Sequence, residues 1–272
     1  MPRPTTRARH AHLSPETRLA DLIPNGLRHH LRGRLGAETV PITDLDAATR
    51  TALWDLYRAH YDRTDEARFF ADLDGKHDVI LLRDLADQTL VGFSTLHTSK
   101  IHGALIIFSG DTIIAASYQG QTALQREFVR YILSVTRRAR GADVYWFLIS
   151  KGYKTYLLLS RNFQGYWPRH DRPTPPHIQR LLDATANARF GDAYDPSTGL
   201  IRFDPPGPRL NPDVAPLPAD LAPDVAFFVQ KNPDHANGDE LCCLGKVDLA
   251  LGLGYAWRLA RKAVRRVSGK TR

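Results

Sequence analysis

The stretch Ile113-Ile114-Ala115-Ala116-Ser117-Tyr118-Gln119-Gly120-Gln121-Thr122-Ala123-Leu124 decides how this chain is read. An apolar run enters a glycine turn and passes directly into a helical pattern that continues to Arg138. At such a helix start the first backbone N–H groups have no partner within the helix, and the macrodipole adds a partial positive charge. Together they form a seat for an anion such as a pyrophosphate. Gly120 lets the backbone come close to it.

On the downstream side, Leu124, Phe128, Tyr131, Ile132 and Val135 recur at helical spacing, so a helix is predicted over Thr122–Arg138. Val144–Ile149 is continuously apolar and reads as a buried strand. A short helix around Tyr156–Leu159 then reaches Asn162-Phe163. Upstream, Thr39–Ile42 reads as a short strand. Asp44 is placed to cap a helix from Ala47 to His60, and a second helix fits Asp65–Leu73. Strands are expected over His77–Leu85 and Leu90–Leu96. Ala104–Tyr118 reads as one long strand with a bulge at Ser109-Gly110-Asp111, or as two strands. The order β-α-α-β-β-β-α-β-α implies an α/β (α+β) chain: a mixed sheet with helices on both faces.

This order, with Tyr118-Gln119-Gly120-Gln121-Thr122 after the fourth strand and Lys154–Phe163 further on, resembles the Gcn5-related N-acetyltransferase (GNAT) superfamily. The resemblance spans about half of the chain. It implies a GNAT-like central sheet that binds acyl-CoA, acetyl-CoA or a longer acyl-CoA, at that turn. Ile114, Ala115, Ala116, Gln119, Gly120, Gln121, Thr122 and Ala123 would be the cofactor-binding positions. Backbone groups near Ile114–Ala116 would hold the acyl carbonyl. The implied activity is transfer of an acyl group from acyl-CoA, or from an acidic acyl carrier protein, to an amine or hydroxyl acceptor. Two positions depart from the family pattern. Thr122 stands where a second small residue is usual, and Leu158 falls where many members carry a tyrosine acid. That role passes to Tyr156, to Tyr153 or to water. Asp111 is the candidate base, because a carboxylate among apolar neighbours has a raised pKa; its other reading is the polar residue of a bulge or turn. His97 and His102 are the alternatives. Trp146, Tyr153 and Trp167 line an acceptor pocket or belong to the core. The rival readings are a GNAT-like binding module without catalysis and a membrane-surface interaction protein acting through its C-terminal helix.

Past Trp167-Pro168 the composition turns proline-rich, and residues 171–272 are expected to form a loop-rich C-terminal extension. A helix after Pro175-Pro176, a hairpin-like stretch over Phe190–Phe203 and a strand at Val225–Val229 are predicted there. Asp234, His235, Asp239 and Glu240 follow no metal-ligand spacing, so no metal is expected. Cys242 and Cys243 read as buried thiols. Leu253, Trp257, Ala260, Val264 and Val267 form one apolar stripe among arginines and lysines. Such a basic amphipathic helix suits its own domain, an acidic partner or an anionic membrane surface. The expected divisions are therefore a basic, partly disordered segment 1–37, an acyltransferase domain 38–170 and the extension 171–272.

The 272 residues carry a net charge of +8 with 43% apolar residues, enough for a sizeable core and suited to acidic partners. No nucleic-acid recognition motif accompanies the charge, so nucleic acid is not an expected partner. Two adjacent cysteines exclude a disulfide framework, and residues 1–12 lack the apolar core of a secretory signal. A cytoplasmic location is the expectation.

Overall fold

A computed structural model of the chain describes residues 33–204, 209–210 and 222–248. Residues 1–32 and the stripe Leu253–Val267 lie outside the described residues, whereas Leu35–Ala37, expected in the basic N-terminal segment, belong to the first strand. In chain order the elements are β1 (Leu35–Pro41), α1 (Ala47–His60), β2 (Tyr61–Asp62), α2 (Glu66–Asp74), β3 (Asp78–Asp84), β4 (Leu90–Ile101), β5 (Ala104–Ile114), α3 (Ala123–Arg138) and β6 (Val144–Ser150). They continue with α4 (Tyr153–Asn162), β7 (Tyr166–Trp167), α5 (Pro176–Phe190), β8 (Tyr194–Asp195), β9 (Leu200–Ile201), β10 (Arg209–Leu210), α6 (Pro223–Lys231) and β11 (Glu240–Val247). No helix among the described residues is long and apolar enough to cross a membrane.

Side-chain caps set the first two helices. Asp46 accepts from the Thr49 amide at 2.7 Å and Asp65 from the Arg68 amide at 2.7 Å, each satisfying an orphan N–H of the first turn. The cap of α1 is thus Asp46; Asp44, the expected cap, ends a 3₁₀ turn at Ile42–Asp44. Val225–Val229, expected as a strand, belongs to α6. Pro223 pre-sets the first helical φ there, Asp224 meets the dipole, and Val225 and Phe228, three apart, are the buried pair.

The main sheet runs β1-β3-β4-β5-β6-β11-β9-β8, with β7 also paired to β11. Every pairing is antiparallel except that of β5 with β6. The sheet therefore crosses the boundary expected at residue 170, because β11 lies directly against β6. Both faces are covered, which is why β3 and β6 are apolar without alternation. On one face Phe128, Ile132 and Val135 of α3 and Tyr156 and Leu159 of α4 pack on Ile80, Leu82 and Leu148. Burying each large apolar side chain contributes about 1.5–3 kcal/mol. On the other face Leu53 and Tyr57 of α1 and Phe69 and Leu73 of α2 meet Leu81, Phe93 and Ile113. There too, Ile178, Leu182 and Ala186 of α5 meet Ile106, Phe147 and Leu244.

One irregularity in β5 positions everything that follows. Ser94 pairs with Thr112 and Leu96 with Ser109, so Gly110 and Asp111 together oppose the single residue Thr95. Of the two readings of this stretch, one strand with a bulge or two strands, the first holds, though the strand ends at Ile114 and not at Tyr118. The bulge shifts the alternation by one: Ile106 and Phe108 face the α1, α2 and α5 side before it, and Ile113 faces that side after it. Gly110 fits because a Cβ there would stand 2.5 Å from Thr95 Oγ1 and 3.0 Å from Lys76 Cε.

Candidate functional site

β5 and β6 pair in parallel from Leu105↔Val144 to Ser109↔Leu148 and then part. β5 stays with β4 as far as Ile114, while β6 stays with β11 as far as Ser150. Trp146 Nε1 donates to Ser109 Oγ at 2.8 Å and ties the strands where they begin to separate. The gap opens into a cleft of about 920 Å³, lined by Ile114 and Gln119, by Asp111, by Leu158 of α4 and by side chains of α1, α2 and α5.

Asp111 projects from the bulge into this cleft and is half-buried. It makes no hydrogen bond or ion pair among the described residues. Burial, with the Asp72 and Glu240 carboxylates nearby, pushes its pKa up to about 7 against the pull of Lys76 and Lys151. A carboxylate with that pKa can take a proton near neutral pH and return it. Two phenols share the space. Tyr57 and Tyr61 stand with ring centroids 5.0 Å apart, and burial, then the Asp111 charge, raises both well above the ordinary tyrosine range. Lys151 pairs with Glu240 at 3.3 Å and lies 5.2 Å over the Tyr61 ring. Lys76, 4% exposed, is held by the Asp72 carboxylate, and burial lowers its pKa.

At the other side of the cleft the turn after β5 leads to α3. Ala116–Tyr118 form a 3₁₀ turn, Tyr118 donates to Asp84 at 2.8 Å, and Gly120 has φ +81°. A Cβ on Gly120 would meet nothing within 4 Å. Thr122 caps α3 with its backbone alone, so its side chain leaves the amides of Ala123 and its successors open. That open, uncapped start fits an anionic group such as a pyrophosphate.

Not every expected position points there. The Ala115 amide donates to the Val91 carbonyl at 2.9 Å and is therefore not a donor for an acyl carbonyl. Gln121 turns its side chain to β1, donating to the Gly33 carbonyl at 2.6 Å and accepting from the Leu35 amide at 3.1 Å. Gln119 reaches the Ile114 carbonyl at 3.4 Å. Tyr156 is fully buried beneath α4 and donates to the Pro168 carbonyl at 2.9 Å, away from the cleft; burial holds its pKa far above the usual value. Tyr153 opens α4 and packs partly against the core of that face. Trp146 lines the cleft, and Trp167 packs against the cluster under α5.

His97 lines the cleft, stacked on His77 with centroids 4.2 Å apart, and its Nδ1 is buried without a partner among the described residues. His102 is exposed in the β4–β5 turn. Cys242 and Cys243 are buried in β11, and burial raises both thiols, so neither is poised as a nucleophile. In the polar loop before β11, Asp239 binds Arg202 at 2.9 Å. Among the described residues no group of three or more His, Cys, Asp or Glu could hold a metal.

Tyr57, Tyr61, Asp72, Lys76, Lys151 and Arg189 were not singled out as site residues by the sequence. They come from separate elements, and no spacing links them. The one available signal was Lys76, a lysine between a helix and a buried strand.

No family model and no curated protein matches the chain. Solved structures do match about half of it. An aminoglycoside acetyltransferase from an uncultured soil metagenomic sample, in complex with sisomicin, is 16% identical over 48% of this chain and 88% of that one, with a TM-score of 0.36. Escherichia coli ElaA is 16% identical over 52% of this chain and 94% of its own, at 0.35. The GNAT family N-acetyltransferase YhbS from Escherichia coli, in complex with CoA, is 17% identical over 47% and 67%, at 0.35.

Proposed function

We propose that the chain is an acyltransferase that moves an acyl group from acyl-CoA to an amine across the β5–β6 cleft. The observation that carries this is the parting of the two strands after Ser109 and Leu148, with the Asp111 carboxylate at the opening. The donor's pyrophosphate would sit at the uncapped start of α3, with Gly120 leaving room for it. Its thioester would lie between β5 and β6.

In this reading Asp111 takes a proton from the bound ammonium. The amine nitrogen then forms a bond to the thioester carbon. The C–S bond breaks, the leaving thiolate takes a proton from a tyrosine, the nitrogen's second proton passes to that phenolate, and Asp111 returns the first proton to solvent. Tyr57 or Tyr61, both protonated at neutral pH and close to Asp111, replaces Tyr156 as the proton donor to sulfur.

The test is thermal stability with acetyl-CoA and longer acyl-CoAs, followed by thiol release with an amine panel. A ligand at about 100 times its Kd adds about 2.7 kcal/mol to stability. A shift accompanied by amine-dependent thiol release supports the reading. A shift without release from any amine leaves a binding module, and no shift with any acyl-CoA rejects CoA-dependent transfer.

A further inference from the structure

Among the described residues, Arg189 lines the cleft with its bonding left incomplete. Arg189 lies in the last turn of α5 with its side chain 19% exposed. Its guanidinium carbon stands 3.9 Å over the Phe108 ring, and its nearest carboxylate, Asp72, is 3.8 Å away. Asp72 is already held by Lys76, so one carboxylate serves two cations, one buried and one partly buried. Among the described residues Arg189 makes no hydrogen bond, and its Nε is fully enclosed without a partner. Leaving a buried charged donor unmade is costly, and a guanidinium fork is matched by the two oxygens of a carboxylate.

Phe108 and Asp111 belong to the same strand and, through the bulge, to the same face of it. Arg189 and the candidate base therefore overlook one short piece of β5. Phe190 and Phe203 supply apolar wall beside the arginine, and Arg68 covers the Phe203 ring at 4.9 Å.

We infer that the acceptor is an amine that also carries a carboxylate, an amino acid with an apolar side chain, and that Arg189 binds that carboxylate while the amine faces Asp111. This rests on the acyl-transfer reading above.

The experiment is thermal shift, without acetyl-CoA, using L-phenylalanine and L-leucine beside phenethylamine and isopentylamine. These amines are the same molecules lacking the carboxylate. Wild type is expected to be stabilised by at least one amino acid and not by its amine. Arg189→Gln is expected to abolish that shift, and Arg189→Lys, which keeps the charge and loses the fork, to weaken binding at least tenfold. The acetyl-CoA shift should survive in both variants. Stabilisation by neither amino acid, equal stabilisation by the amines, or an unchanged shift in the variants overturns the inference. Should Arg189→Gln fail to fold by circular dichroism, Arg189→Lys decides. Failure of the acetyl-CoA shift in wild type condemns the transferase reading instead, so the two are judged separately.

Discussion

A carboxyl group that ionises near 7 has a direct cost for the folded chain. Asp111 in the unfolded chain loses its proton near 3.9, whereas in the fold it keeps it until about 7. Between those values the native state binds the extra proton, so stability falls as pH rises through the window. Asp111→Asn removes the buried charge and is expected to stabilise the protein by about 1–2 kcal/mol at pH 8, a gain that shrinks toward pH 4. Urea unfolding at the two pH values measures it. The same substitution should slow transfer by about 10²–10⁴-fold, and the wild-type rate should rise with pH through about 7 and then level. A flat pH profile would remove Asp111 from the chemistry. Tyr156→Phe makes the contrasting case. It deletes the hydroxyl that donates to Pro168, at a cost of about 1–2 kcal/mol, and should leave the transfer rate within twofold of wild type. A tenfold loss of rate would return Tyr156 to the site.

At the scale of elements, the bulge of β5 and the entry to α3 carry opposite kinds of glycine. Gly110 is packed against Thr95 and Lys76, so Gly110→Ala forces a collision and should cost about 1–3 kcal/mol by urea titration. Gly120 has space around it and a backbone only glycine adopts easily. Gly120→Val should therefore cost about 1–2 kcal/mol through strain and also erase the acetyl-CoA shift. If the shift persists, the turn does not hold the pyrophosphate. Elements with a strong local rhythm were legible beforehand: α1 between Ala47 and His60, α3 with its row from Leu124 to Val135, and the bulge at Gly110-Asp111, where a polar group interrupts an apolar strand. Val225–Val229 misled because five apolar residues fit either period, and only the packing of Val225 with Phe228 chose the helix. The lining of the cleft was half legible. Asp111 announced itself by its strand, but Arg189 and Asp72 sit on different helices, and only the sheet brings their side chains within 3.8 Å.

For the molecule as a whole, β11 closes the sheet. It pairs along its length with β6, from Leu241↔Ser150 to Val247↔Val144, and carries β9 and β7 on its other side. Gly245 lets it press close, since a Cβ there would lie 2.9 Å from Leu159 and Phe163. A fragment ending at residue 170 lacks β11 and exposes the whole edge of β6. It should fail to give a monomeric folded species in gel filtration and circular dichroism, whereas residues 33–248 should give one. The pairing also has a temporal meaning. Val144 and Val247 meet across about a hundred residues of chain, a long-range contact of the kind that slows folding. On the ribosome β6 emerges well before its partner, so this apolar strand waits with an open edge while α5, β8, β9 and α6 are still being made. Nascent chains caught in that interval are the ones that should need a chaperone.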